Sequence, residues 1–276
     1  MDLTPSRRWG QNFLVSEAEA QAEAALVDLP PESSVVEIGG GLGILSKALL
    51  DRGFRPLSIV EIDPKLASLL EHNLKQRATL IRGDALTVPL PPAQAYVGNL
   101  PFSVAVPLLL RLLEVGIEHG VFLVQREVAE RLAAEPGGRD FGPLTIRGRL
   151  EGEFRIARIV PRAVFFPSPK VDGAVVVYRR SPIEPAPLDA ALTMQLVHRV
   201  FNWRRKQLQR TLPSVLEEWG FAPESLSRIL EEAQIPSGWE QMRPEELTPE
   251  TWVRMANGFV RMRPRRTKSG PRVGQA

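Results

Sequence analysis

Four consecutive residues, Asn99-Leu100-Pro101-Phe102, combine groups that could recognise an adenine. An adenine has an N6 amine that donates hydrogen bonds and a flat π surface. The side-chain oxygen of Asn99 and the main-chain carbonyl of Leu100 could both accept from that amine, and the ring of Phe102 could stack on the base. Both bonds together would pull the nitrogen toward a tetrahedral shape and aim its lone pair at an electrophile. A proline turn that closes a buried strand, with Asn99 bonded to its own backbone, is the plainer interpretation.

A glycine-rich segment, Glu37–Gly43, lies between a predicted strand and a predicted helix, where glycine lets the backbone approach a ligand closely. A dinucleotide site fits this segment poorly, because the third glycine of G-x-G-x-x-G would fall at Ile44. The carboxylate of Glu37 would also repel a pyrophosphate, whereas it suits a cationic ligand such as a sulfonium.

Carboxylates end the next two predicted strands. Glu61 is placed where a carboxylate can bind both hydroxyls of a ribose, and Asp84 is placed to accept from an adenine amine. With Gly39, Gly41 and Asn99 they mark four successive strand ends, which meet at the ligand-binding edge of an open α/β sheet. Either carboxylate alone could be a helix N-cap. The five together predict a site for S-adenosylmethionine.

The elements that must position these residues alternate between strand and helix, which predicts a parallel sheet with helices on both faces. The predicted strands are 34–38, 57–62, 78–82, 95–97 and 120–124, with 154–160 and 173–178 closing the sheet. The predicted helices between them are 16–28 (with Ser16 as N-cap), 44–52, 64–74, 106–115 and 126–134.

Three prolines in residues 181–188 indicate a linker. Beyond it the pattern predicts only helices, over 189–203, 205–219, 223–233 and 249–260. We therefore expect a catalytic domain over 1–180, a small helical domain over 189–260 and a disordered basic tail over 261–276.

Composition narrows the class of protein. The chain has 276 residues, of which 43% are hydrophobic, so it is long enough for one large and one small globular domain. It has no cysteine and only three widely spaced histidines, which argues against disulfides and a histidine metal site. The N-terminus lacks the apolar stretch of a signal peptide and no apolar run is long enough to span a membrane. We expect a cytoplasmic monomer that binds neither metal nor membrane.

Positive charge is concentrated although the net charge is only +3. Residues 199–210 contain five basic residues and no acid, and residues 258–276 contain six and no acid. Such clusters indicate a polyanionic partner. A solvated helix face or a solubilising tail would show the same composition. If the partner is RNA, we expect phosphate contacts from Arg204, Arg205, Lys206 and Arg210, with Arg7 and Arg8.

With these motifs in hand, the sequence resembles the small-subunit (16S-type) ribosomal RNA adenine N6,N6-dimethyltransferases. The similarity is carried by eight segments in order: Gly10–Leu14, Glu37–Gly43, Glu61–Asp63, Gly83–Ala85, Asn99–Phe102, Gln125–Leu132, Phe165–Asp172 and Phe201–Lys206. It covers nearly the whole chain up to about residue 215.

The resemblance implies a Rossmann-like class I methyltransferase sheet and dimethylation of two adjacent adenosines in a hairpin near the 3′ end of 16S rRNA. The substrate would be the immature small ribosomal subunit. It implies cofactor contacts from Asn12, Leu14, Gly39, Glu61, Asp84 and Asn99. We expect Phe102 and Phe165 to sandwich the target base, although core packing is an alternative for Phe165, and we expect Phe166 to lie in the core.

The sequence departs from the family pattern at two positions. Family members mostly carry Tyr where Phe102 stands and Pro where Gly40 stands. Neither departure removes a group that the chemistry requires, so they bear on rate. Three other functions stay open: a large-subunit rRNA adenine methylase of the macrolide-resistance type, an RNA-binding assembly factor that has lost catalysis and, less well matched because of Leu100, a DNA adenine methylase.

Overall fold

The computed structural model describes residues 12–222, 224–235 and 237–262. The chain falls into two compact units, residues 1–183 and 184–276. Part of the predicted basic tail (263–276) and the arginines at positions 7 and 8 lie outside the described residues.

The first unit is built on a seven-stranded sheet. The strands of this unit are β1 (Phe13–Leu14), β2 (Val35–Ile38), β3 (Leu57–Glu61), β4 (Thr79–Arg82), β5 (Ala95–Asn99), β6 (His119–Gln125), β7 (Gly152–Val160), β8 (Phe165–Phe166) and β9 (Gly173–Arg180). The order in the large sheet is β4-β3-β2-β5-β6-β9-β7. The first five of these are parallel, and β9 runs antiparallel to both of its neighbours. The predicted parallel sheet and its two closing strands are therefore confirmed.

Helices cover both faces of this sheet, as the alternation predicts. They are α1 (Glu17–Ala25), α2 (Ile44–Asp51), α3 (Pro64–Leu74), α4 (Ala105–Val115), α5 (Arg126–Leu132) and α6 (Pro143–Glu151). Side chains of α1, α2 and α3 pack with one face of the strands, and those of α4, α5 and α6 pack with the other. Helix α1 begins after Ser16, whose hydroxyl accepts from the Glu19 N–H at 3.3 Å, as predicted.

Strands β1 and β8 form a separate two-stranded antiparallel ladder, with Phe13 opposite Phe166 and Leu14 opposite Phe165. The sequence pattern predicted neither this ladder nor α6. Each strand of the ladder has only two residues, so neither carries a periodic signal.

The second unit is helical, with α7 (Ala190–Phe201), α8 (Leu208–Glu218), α9 (Ser225–Glu232) and α10 (Pro249–Met262). Its core includes the fully buried Trp252 and Phe259 of α10. The Asn257 side chain fastens the proline-rich segment to α10: its oxygen accepts from the Leu188 N–H at 2.7 Å, and its nitrogen donates to the Ala186 carbonyl at 3.0 Å. Within the described ranges, every helix is too short or too polar to cross a membrane.

Candidate active site

The carboxyl ends of β2, β3 and β5 open onto one cavity. Its wall contains every residue that the sequence predicts for catalysis or cofactor binding except Asp84. These are Asn12, Leu14, Gly39, Gly41, Glu61, Asn99, Leu100, Pro101, Phe102 and Phe165. Because β2, β3 and β5 are neighbouring parallel strands, their carboxyl ends lie at the same edge of the sheet. Residues that are far apart in the sequence therefore meet there.

The glycine-rich segment forms the turn between β2 and α2. Gly39 and Gly41 have φ angles of 79° and 52°, in the left-handed region that favours glycine. A Cβ atom on Gly39 would have only the Asn99 carbonyl oxygen near it, at 3.9 Å, so the backbone is open toward the cavity. Gly40 is different, because a Cβ there would meet Ile59 Cγ2 at 2.5 Å and Leu70 Cδ1 at 2.7 Å. Its lack of a side chain lets the turn pack against the core.

Glu61 joins this turn to the next strand. One carboxylate oxygen accepts from the Gly41 N–H and the other from the Asp63 N–H, both at 2.9 Å. The side chain is only 4% exposed. Burial raises the pKa of Glu61, and the two N–H bonds oppose that rise. Each oxygen keeps a second lone pair that can accept from a ligand hydroxyl.

Glu37 lies in the wall of the cavity but is fully buried. The Ser46 hydroxyl donates to Glu37 Oε2 at 2.5 Å. Burial, with a smaller contribution from Glu61, raises the pKa of Glu37 to about 8, although the Ser46 bond lowers it. Glu37 is therefore mostly protonated at neutral pH and gives the cavity little of the negative charge that would attract a cation.

The adenine-recognition tetrad follows β5. The Asn99 side-chain oxygen is buried and has no hydrogen-bond partner among the described residues. The N–H of Leu100 donates to the Leu123 carbonyl at 3.0 Å, which fixes the backbone beside it. The rings of Phe102 and Phe165 are 6.2 Å apart between centroids and inclined by 62°, so they touch edge to face.

Asp84 lies at an adjoining cavity, whose wall shares Gly39, Ile62 and Pro101 with the first. One Asp84 carboxylate oxygen accepts from the Leu86 N–H at 2.8 Å. The two cavities together follow the edge of β4, β3, β2 and β5, in line with the predicted four strand ends.

Sequence reasoning missed two parts of this arrangement. Phe13 lies in the cavity wall against Gly41. Arg111 of α4 donates to the carbonyls of Ala85 and Val88, at 2.5 Å and 2.6 Å, and so fastens the loop after Asp84. Arg111 is the one cation in the apolar helix α4, so its position in the sequence could have indicated that it binds a specific partner.

Two predictions about individual residues are wrong. Phe166 does not lie in the core: its side chain is 60% exposed, because its neighbour Phe165 occupies the buried side of the short strand. The predicted helix over 205–219 begins later, at Leu208. The basic residues Arg204, Arg205 and Lys206 therefore lie in the turn between α7 and α8.

In that turn Arg205, Lys206 and Arg210 (in the first turn of α8) are exposed. Arg204 is half-buried and pairs with Glu245 at 3.6 Å. The ring of Trp203 lies under two cations, with Arg199 at 5.6 Å and Lys206 at 5.9 Å from its centroid.

Within the described ranges, there is no cluster of three or more His, Cys, Asp or Glu side chains that could hold a metal ion.

The family model and the curated relatives that match this chain all describe ribosomal RNA methyltransferases. Residues 4–236 match the family described as "Ribosomal RNA adenine dimethylase". The chain is 32% identical to "Ribosomal RNA small subunit methyltransferase A" of Ligilactobacillus salivarius, over 94% of this chain and 92% of that protein. It is 36% identical to the protein of the same name from Mycobacterium avium, over 92% of this chain and 83% of that protein.

Solved structures agree in fold. A dimethyladenosine transferase from Plasmodium falciparum superposes with a TM-score of 0.78 at 21% identity, over 90% of this chain and 98% of that one. The 23S rRNA methyltransferase ErmE superposes with a TM-score of 0.68 at 27% identity, over 90% of this chain and all of the other.

Proposed function

Because the chain belongs to the ribosomal RNA adenine dimethylase family, we propose that it dimethylates N6 of two adjacent adenosines in a hairpin near the 3′ end of 16S rRNA. The enzyme is a methyltransferase that uses S-adenosylmethionine, and its substrate is rRNA. We further propose that it acts in the cytoplasm, as a monomer, on the immature small subunit. We expect naked RNA to be a poorer substrate than a partly assembled subunit, whose shape would present the hairpin.

One observation carries this proposal: the buried, unpartnered oxygen of Asn99 in the wall of the cavity. A buried acceptor without a partner costs about 1–3 kcal/mol. An adenine N6 amine would supply the missing donor. The proposal therefore explains both the composition of the tetrad and the unsatisfied state in which the fold holds Asn99.

The residues of the cavity fit S-adenosylmethionine. The open backbone at Gly39 leaves space for a ligand, and the remaining lone pairs of Glu61 suit the two ribose hydroxyls. We propose that the cofactor is held by Asn12, Leu14, Gly39, Gly41, Glu61, Asp84 and Asn99. When bound, it supplies a methyl group activated by the adjacent sulfonium.

The chain's own residues position the amine. Asn99 Oδ1 and the Leu100 carbonyl accept hydrogen bonds from the two N6 N–H groups and fix the direction of the nitrogen lone pair. Phe102 and Phe165 touch edge to face, with centroids 6.2 Å apart, so the predicted sandwich requires the two rings to separate around the flipped base. The monomethylated amine keeps one N–H, so Asn99 can hold it for a second transfer.

This arrangement needs no strong base. The N6 nitrogen becomes acidic once it has been methylated and can lose its proton to solvent. The cavity wall formed by the described residues contains no His or Lys.

Isolated ribosomal subunits test the proposal. The enzyme is incubated with methyl-labelled cofactor and either small subunits that lack the modification or large subunits, and the labelled nucleotides are mapped. We expect two dimethylated neighbouring adenosines in the small subunit. Label in the large subunit would support the resistance-type activity, and binding to small subunits without any label would support a non-catalytic assembly factor.

A further inference from the structure

The ladder of β1 and β8 presents an exposed aromatic side chain beside the active-site cavity. Phe166 is 60% exposed, more than any other large hydrophobic side chain among the described residues. Val15 continues the same ladder, with its N–H donating to the Val164 carbonyl at 2.9 Å, and is 48% exposed. The exposed ring of Phe166 is available to stack on a ligand that approaches the cavity.

The position of Phe166 is fixed by residues that line the cavity. Phe165 lies in the cavity wall and touches Phe102, and the next side chain along the strand points away from it. Across the ladder, Phe166 is opposite Phe13, whose ring lies against Gly41. Phe166 is not itself in the cavity wall, but it follows the wall residue Phe165 in sequence and pairs with the wall residue Phe13, so it lies beside the cavity.

The loop that carries Phe166 is held in one conformation. The Arg162 N–H donates to Asp172 Oδ1 at 3.0 Å, and the Arg162 guanidinium donates to the Lys170 carbonyl at 3.2 Å. The Ser168 hydroxyl donates to the Arg162 carbonyl at 3.0 Å. Because these bonds close the loop on itself, a ligand would meet a preorganised surface.

The same loop offers positive charge. Arg162 and Lys170 are exposed, and neither forms an ion pair within the described part of the chain. Nearby, Arg126 pairs with Glu130 at 2.7 Å, and the Asp172 carboxylate accepts from the backbone N–H of Arg162. An aromatic face next to two available cations is the combination that binds single-stranded nucleic acid.

We propose that Phe166 stacks on the base of a nucleotide that flanks the target adenosine, while Arg162 and Lys170 contact the adjoining phosphates. This inference rests on the proposed function. A base that leaves its stack to enter the cavity draws its neighbours to the rim. A platform there would hold the strand and so keep the target base in place through both transfers.

The test compares Phe166→Ala with Phe166→Trp and with a control, Val115→Ala. Val115 is 46% exposed and is the last residue of α4, a helix length away from the cavity. Binding of each variant to unmethylated small subunits is measured by filter retention, and cofactor affinity by calorimetry. Single-turnover methylation is followed in parallel.

We expect Phe166→Ala to weaken subunit binding by about 5- to 150-fold, the range for loss of one base–aromatic stack. Phe166→Trp should bind subunits with an affinity within about threefold of the wild type, because an indole ring also stacks on a base. Val115→Ala should bind normally, and cofactor affinity should be the same in all variants. Lys170→Ala should lower the slope of log affinity against log salt by about one.

Unchanged subunit binding by Phe166→Ala would overturn the inference, and so would an equal loss of cofactor affinity, which would indicate a structural role. Neither result would affect the proposed function if the wild type still dimethylates small subunits. A wild type that binds cofactor but neither binds nor methylates small subunits would overturn both proposals.

Discussion

Glu61 and Asn99 share one cavity, but their side-chain oxygens are in opposite states. Both Glu61 oxygens have backbone N–H partners, whereas the Asn99 oxygen has none among the described residues. Removing Glu61 therefore breaks an existing network that shapes the glycine turn. Removing the Asn99 amide takes away an acceptor that only a ligand can complete. The two substitutions should separate cofactor binding from methyl transfer.

Glu61→Ala should nearly abolish cofactor binding. Loss of a charge-assisted, two-point contact with the ribose costs on the order of 2–3 kcal/mol, or roughly 30- to 150-fold in affinity. Calorimetry with S-adenosylmethionine measures this loss. Asp63→Asn is the matched control, because it keeps the backbone N–H that binds Glu61 and a side-chain oxygen that can cap α3. A dissociation constant that Glu61→Ala leaves unchanged would refute the assignment.

Asn99→Ala should slow methyl transfer on the order of 100-fold, comparable to loss of one preorganised hydrogen-bond partner in an active site. Cofactor affinity should change by less than about fivefold. The unfolding midpoint should not fall, because the substitution removes an unsatisfied buried acceptor. If binding and turnover fell together by the same factor, Asn99 would be a cofactor ligand above all.

At the level of elements, Arg111 links α4 to the loop that follows β4. Its guanidinium spans the carbonyls of Ala85 and Val88, and Asp84 begins the same loop. The helix that starts just after the adenine tetrad thus also holds the segment proposed to contact the cofactor adenine. A planar guanidinium can bridge two carbonyls in a way that a lysine ammonium cannot.

Arg111→Met should lower the free energy of unfolding by about 1–3 kcal/mol, because two partly buried carbonyls lose their donor. It should also increase hydrogen exchange in residues 84–88 and weaken cofactor binding. Arg82→Met is the control, since Arg82 forms an exposed pair with Glu71 whose loss should cost less than about 1 kcal/mol. Equal effects of the two substitutions would show that Arg111 is only a surface cation.

The elements that the sequence predicted well are those with strong local signals. The buried runs at 35–38 and 95–99 and the glycine turn between β2 and α2 identified the binding edge without a structure. Helix α6 was missed because its sequence, PLTIRGRLE, has no apolar stripe and contains a glycine. The β1–β8 ladder was missed because residues 13 and 166 meet only in the folded chain, and the exposure of Phe166 depends on that pairing.

At the level of the whole molecule, the buried carboxyl groups of Glu23 and Glu37 contribute to how stability depends on pH, in the same direction as Glu61. Burial, with smaller effects from Glu37 and Glu19, raises the pKa of Glu23 well above its ordinary value, and both Glu23 oxygens lack a partner among the described residues. The pKa of Glu37 is raised to about 8. The folded state thus holds protons that the unfolded state releases near pH 4.5, so stability should fall as pH rises from about 4.5 through 8.

Glu23→Leu should remove part of this dependence. The free energy of unfolding at pH 8 should rise by about 1–3 kcal/mol, because a buried polar group without a partner is replaced by an apolar one of similar size. The gain should shrink toward pH 5, where little is lost by keeping the carboxyl protonated. Denaturant titrations at the two pH values measure both effects, with the exposed Glu114→Leu as control. A variant less stable than the wild type at both pH values would contradict this account.

The division of the chain into two units makes a separate prediction about the grip on RNA. Arg205 and Lys206 are exposed in the turn between α7 and α8, in a unit other than the one that holds the cavity. Neutralising Arg204, Arg205 and Lys206 together should weaken binding to small subunits and lower the slope of log affinity against log salt by roughly one for each lost phosphate contact. Cofactor affinity should be unchanged.

The control for this triple variant neutralises Arg179 and Arg180, which are paired with Asp28 and Glu118 on the first unit. Because these two arginines are already paired with carboxylates, we expect neither to contact a phosphate. The control should therefore keep the wild-type slope of log affinity against log salt. The basic turn also stacks on Trp203, so circular dichroism must first show that α7 and α8 persist in the triple variant. If the folded triple variant methylates immature small subunits at the normal rate across salt concentrations, the turn is a solvated charged surface, and the RNA grip lies with the rim of the cavity.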